Sequence, residues 1–169
     1  MVANLSSHLL FLLGSWFGQP RRARATWKKL YGEVEDELTG VLTLAGGTEA
    51  GFETSWSVPD HPLSATAIHA EGENGSLHVT NETLALELRA AAAGWRAGES
   101  RVRHSELPQR ARFDLNGEGF YLEDAHFLSW VTGGTPPPVT ARAGCDVQRT
   151  MSALYRSAAR DGETVEVPS

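Results

Sequence analysis

Leu38-Thr39-Gly40-Val41-Leu42-Thr43-Leu44 is followed by Ala45-Gly46-Gly47-Thr48-Glu49 and then Ala50-Gly51-Phe52-Glu53-Thr54-Ser55-Trp56-Ser57-Val58. Leu38, Gly40, Leu42 and Leu44 fall on one side of an extended chain, and Ala50, Phe52, Thr54, Trp56 and Val58 repeat the period of two. Period two is the mark of a half-buried strand, since successive side chains point to opposite faces. The Gly46-Gly47 turn between the runs is too short for a parallel crossover, so the two strands pair antiparallel. Phe52, Trp56, Leu42 and Leu44 are expected to be buried, under helices or in a subunit contact.

The same alternation runs outward from Arg24 to Leu115: Leu77 and Val79, then Leu84, Leu86 and Leu88, then Ala111, Phe113 and Leu115. Pro59-Asp60-His61-Pro62, Asn74-Gly75 and Gly94 punctuate it. Residues 89–108 mix alanine with Arg and Glu and predict an irregular excursion with one ragged strand. Arg21, Arg22 and Arg24 predict a solvated strand edge.

Helical spacing brackets this meander. Leu5, Leu9, Leu12, Leu13 and Trp16 predict a helix over residues 5–17, closed by Gly18 and Pro20. Phe120, Phe127, Leu128 and Val131 form a second stripe, and Val147, Met151, Leu154, Tyr155 and Ala158 a third, stopped by Asp161-Gly162. Thr164 to Val167 adds a last strand. The expected fold is α+β, one domain over residues 1–169, with an open, predominantly antiparallel sheet and helices on one face.

A net charge of −6 excludes a nucleic-acid surface, which needs a basic footprint. The single Cys145 excludes an internal disulfide and fits a reducing cytoplasm. Leu9 to Leu13 is too short to span a bilayer, so neither membrane nor export is expected. The histidines at 61, 69, 78, 104 and 126 show no ligand spacing, so no metal is expected; His69 and His78 read as exposed strand neighbours.

The order of motifs from Gly117-Glu118-Gly119-Phe120-Tyr121 through Gly134-Thr135-Pro136-Pro137-Pro138-Val139-Thr140 to Ala153-Leu154-Tyr155-Arg156-Ser157-Ala158 resembles the C-terminal domain of the Gfo/Idh/MocA oxidoreductases. Gly72-Glu73-Asn74-Gly75-Ser76-Leu77 is similar to that family's Gly-x-x-Gly-x-Leu turn. The resemblance implies a substrate-binding and oligomerisation domain of an NAD(P)-dependent sugar or polyol oxidoreductase. It also implies a nucleotide-binding Rossmann domain, in cis or in trans, which these 169 residues do not contain. The chain is therefore expected to bind no NAD or NADP, to be inactive alone, and to form a homodimer or larger homo-oligomer through the open sheet face.

Asn4-Leu5-Ser6-Ser7-His8 aligns with the family's Asp-x-Gly-x-His, which implies a proton relay at His8 for the hydroxyl of a small sugar-like substrate. Asn4 stands where the family has Asp, and Ser6 where it has Gly. An amide cannot take up a proton. Read without the resemblance, His8 is a histidine on a largely apolar helix. Trp27 and Tyr31, before Gly32-Glu33-Val34-Glu35-Asp36, resemble the variable stretch that borders the family's substrate pocket. Glu35-Asp36 reads either as an acid–base pair or as a solvated turn opening a strand. The other functional reading is a stand-alone binding or assembly module that keeps the sheet without the chemistry.

Overall fold

The computed structural model describes residues 5–58, 65–108, 118–137 and 139–168. The chain divides into two compact units, Met1–Pro59 with Trp130–Ser169, and Asp60–Ser129. The α+β class and the antiparallel pairing are as expected, but the described strands fall into two four-stranded ladders.

The first unit contains helix α1 (Ser7–Phe17) and strands β1 (Pro20–Lys28), β2 (Glu37–Leu44) and β3 (Glu49–Ser55). Helix α3 (Ala141–Ala158) and strand β8 (Val165–Glu166) complete it. Its sheet runs β3-β2-β1-β8, antiparallel throughout, with Arg22 opposite Thr43 and Thr43 opposite Glu49. Gly18 adopts a φ of +92° after α1, and β1 begins at Pro20, so the helix ends where the sequence says it must.

One face of this sheet is the core. Ala23, Ala25, Leu38, Leu42, Leu44 and Phe52 join Leu10 of α1 and Met151, Ala153, Leu154 and Ala158 of α3. Alanines on β1 let α3 come close enough for the Ser157 hydroxyl to accept a 2.8 Å hydrogen bond from the Ala25 N–H. The same hydroxyl donates to the Glu163 carbonyl at 2.6 Å, which ties the turn after α3 to the sheet. Gly40 is required by this packing, because a Cβ there would lie 2.7 Å from the Arg24 carbonyl oxygen.

Two expectations need correction here. Trp56 is 56% exposed, because β3 ends at Ser55 and the alternation that buries Phe52 and Thr54 stops with it. The Arg21–Arg24 stretch is solvated but is not an edge, since β8 pairs with β1 at Arg22 and Ala23.

The second unit holds β4 (Ala67–Gly72), β5 (Gly75–Thr80), β6 (Thr83–Leu88) and β7 (Gly98–Arg103), in that order and all antiparallel. β7 is a regular ladder strand within the expected excursion, preceded by irregular residues 89–97 and followed by a 3-10 turn over His104–Glu106. His69 stands opposite His78, both exposed, with ring centroids 6.1 Å apart. The Ala111-Phe113-Leu115 strand lies outside the described residues.

Helix α2 (Glu118–Val131) forms where the spacing predicts it. Its stripe is not core: Phe120, Phe127, Leu128, Trp130 and Val131 are all exposed.

Candidate functional site

His8 sits in the first turn of α1, exposed, and among the described residues its ring makes no hydrogen bond or ion pair. An imidazole without such partners can offer a ring nitrogen to an incoming hydroxyl. Asn4 lies outside the described residues. Ser6 is wholly buried at the N-cap of α1, yet its hydroxyl caps nothing and has no described partner.

A second cluster forms at the far end of β1. Trp27 is half-buried near the C-terminal end of that strand, with its ring 6.0 Å from the Tyr155 ring on α3. Lys29 Nζ lies 5.8 Å from the Trp27 ring centroid, within cation–π reach. The Tyr155 hydroxyl donates a short hydrogen bond of 2.5 Å to Glu35 Oε1, across 120 positions of sequence. Glu35 is only 8% exposed.

The Glu35-Asp36 pair is thus not a solvated turn. Asp36 Oδ2 accepts from the Leu30 and Tyr31 N–H groups at 2.6 and 3.1 Å and closes the loop between β1 and β2. The Asp36 backbone adds bonds to Lys28 and Trp56. With the loop pinned by one carboxylate, the other is turned inward onto Tyr155. The two acids have separate tasks, closing the loop and anchoring it to α3.

Tyr31 is 82% exposed and makes no described contact with this cluster beyond the loop bond to Asp36. The structure joins Trp27, Glu35 and Tyr155, and shows no hydrogen bond or ring contact from His8 to any of them. Sequence reading missed Tyr155 as a polar partner because its spacing marks it as a core residue of α3. Its hydroxyl was the only available signal, since a buried phenol must find an acceptor.

Residues 1–78 match the GFO/IDH/MocA C-terminal domain. The resemblance read from the motifs is borne out, although the match falls on the first part of the chain, and the 118–167 motifs lie outside it. No curated protein matches the chain. Among solved structures it is similar to levoglucosan dehydrogenase in complex with NADH and levoglucosan, at 18% identity and a TM-score of 0.80, covering 98% of this chain and 50% of that one. An oxidoreductase from Agrobacterium radiobacter in complex with NAD+, L-tartaric acid and magnesium matches at 18% identity and a TM-score of 0.77, covering 99% and 49%. The WlbA dehydrogenase from Bordetella pertussis, in complex with NADH and UDP-GlcNAcA, matches at 20% identity and a TM-score of 0.68, covering 99% and 45%. At these identities the likeness is one of fold. The chain spans about half the length of these neighbours.

Among the described residues there is no glycine turn leading through a crossover helix to a parallel strand, the arrangement that holds a dinucleotide. Every described pairing is antiparallel. Gly119 lies in the first turn of α2, and Gly117 is outside the described residues. Among the described residues no three His, Cys, Asp or Glu side chains converge on a metal position, and no helix is long and apolar enough to cross a membrane.

Proposed function

We propose that this chain is the substrate-binding and oligomerisation domain of an NAD(P)-dependent sugar or polyol oxidoreductase. The observation that carries the reading is the fold likeness to dehydrogenases over 98–99% of this chain, joined to the family match over residues 1–78. Those neighbours hold NAD+ with L-tartaric acid, or NADH with levoglucosan or UDP-GlcNAcA. On this reading His8 takes the proton of the substrate hydroxyl onto a ring nitrogen, and Trp27 and Tyr31 border the sugar. Glu35 and Tyr155 act as positioning residues that hold the Trp27 end of β1 in place. The nucleotide belongs to a Rossmann domain, and no step at the cofactor is assigned to this chain.

The other reading, a binding or assembly module without catalysis, is favoured by Asn4, since an amide cannot support a protonated His8 as a carboxylate would.

Calorimetric titration of the chain with NAD+ and with NADP+ separates this reading from one in which the chain is a complete enzyme. The expected result is no binding at micromolar nucleotide and no dehydrogenase turnover. Saturable micromolar binding of either nucleotide contradicts the assignment of the cofactor to another domain.

A further inference from the structure

His69 on β4 stands directly opposite His78 on β5, and both side chains are exposed, with ring centroids 6.1 Å apart. Their separation in sequence matches no ligand pattern, so the register of the ladder is what joins them. Residues opposed on antiparallel strands have Cβ atoms about 4.5–5.5 Å apart, close enough for two imidazoles to reach one ion. Neither ring is packed into a core, and two opposed imidazoles repel each other once both are protonated. The pair does nothing evident for the ladder that carries it.

The groups around the pair suit a cation. Glu71 Oε1 lies 3.1 Å from His69 Nε2. A carboxylate that accepts from this nitrogen leaves the lone pair on Nδ1, the arrangement usual behind metal-bound histidines. Beside His78 on β6 is Ala85, too small to cover the ring, and Ser76 and Thr80 flank it on the same face of β5. Arg101, opposite Ala85 on β7, is turned to Glu99 at 3.6 Å.

We propose that His69 and His78 are the two protein ligands of a divalent transition-metal site of the zinc, nickel and copper class. Glu71 holds the His69 ring, and water completes the shell. With an ion–nitrogen distance of about 2.1 Å, two imidazoles at a tetrahedral angle have centroids about 5.2 Å apart. The observed 6.1 Å exceeds that by about 0.9 Å, which rotation of two exposed side chains closes. Imidazole selects such ions over magnesium and calcium, which take oxygen ligands. Among the described residues no third His, Cys, Asp or Glu converges on the pair, so the ion stays exchangeable. Once bound it ties β4, the outer strand of its described ladder, to β5. The site draws on the second unit alone and does not depend on the oxidoreductase reading.

Zinc chloride titrated into the tag-free chain tests it, followed by calorimetry and by the imidazole signals in NMR. Saturation is expected below about 1 mM zinc, with the His69 and His78 rings shifting together. His69→Ala and His78→Ala should each weaken binding at least about ten-fold, and Glu71→Gln by a smaller factor. All three positions are exposed, so the variants should keep the circular dichroism of the parent. His104→Ala, at an exposed histidine outside the pair, should leave the affinity unchanged. Zinc should raise the melting temperature of the parent by a few degrees but not that of His78→Ala. No saturation by zinc, shifts confined to other histidines, or unchanged affinity in both histidine variants overturns the site. A parent whose melting temperature zinc leaves unchanged overturns the tie between β4 and β5. An equal response to magnesium chloride overturns the class of ion.

Discussion

Gly75→Ala should cost the second ladder about 3 kcal/mol or more, enough to lower its unfolding temperature by several degrees. Gly75 opens β5 directly after the two-residue turn from β4, with Gly72 opposite it, and its φ is +148°. A Cβ at this position would lie 1.8 Å from the Glu87 carbonyl oxygen and 2.9 Å from its carbon. Those atoms are the backbone of β6, so no rotamer change relieves the overlap. The ladder pairing of Gly75 with Leu88 would have to open. Asn74, which bonds the backbone of Ala90 through both its side-chain oxygen and nitrogen, would be pulled from its partners. Gly46→Ala is the control: a Cβ there meets nothing within 4 Å, and the cost should stay within about 0.5 kcal/mol. Thermal unfolding followed by circular dichroism compares the two. Equal stabilities would mean that the approach of β6 to Gly75 is wrong.

Leu154→Ala should cost about 3 kcal/mol or more, the usual penalty for emptying a closed core site. Leu154 is fully buried in the cluster that joins α3 to the inner face of β1 and β2. Its neighbours in that core include Ala23, Ala25, Ala153 and Ala158, whose side chains have no length with which to refill a cavity. Leu128→Ala, on the exposed stripe of α2, should cost less than about 0.5 kcal/mol. Chemical denaturation of both variants checks the contrast. A large loss at Leu128 would show that α2 is covered in solution.

These two leucines also mark how far the sequence could be read. Leu154 sits on a strongly amphipathic helix and Leu128 on a weakly amphipathic one, but the spacing of apolar residues alone reports only that a face is apolar. Whether anything covers that face depends on elements far away in the chain. The strands behave in the same way. Leu38, Leu42, Leu44 and Phe52 are buried as their alternation requires, while Trp56 keeps the period but falls beyond the last residue of β3. β7 was obscured because Glu99, Arg101 and Arg103 give it the charge of an outer strand in its described ladder, a composition that resembles a loop.

The site was legible in part. His8 and Trp27 are singled out as candidates by the family motif and its neighbouring stretch. Glu35 was not, because the residue that buries it is Tyr155, 120 positions further on, and adjacent acids in a loop ordinarily face water.

The central claim, that this chain holds the substrate side of a sugar or polyol dehydrogenase, is met most directly by solution NMR of the chain titrated with polyols, hexoses and sugar acids. Affinity without the nucleotide domain should be weak, roughly millimolar, corresponding to about 4 kcal/mol. The account predicts saturable shifts of the His8 ring and the Trp27 indole with at least one of these compounds, and their loss in His8→Ala with the remaining spectrum intact. No shift with any of them, or shifts confined to residues distant from His8 and Trp27, would contradict it.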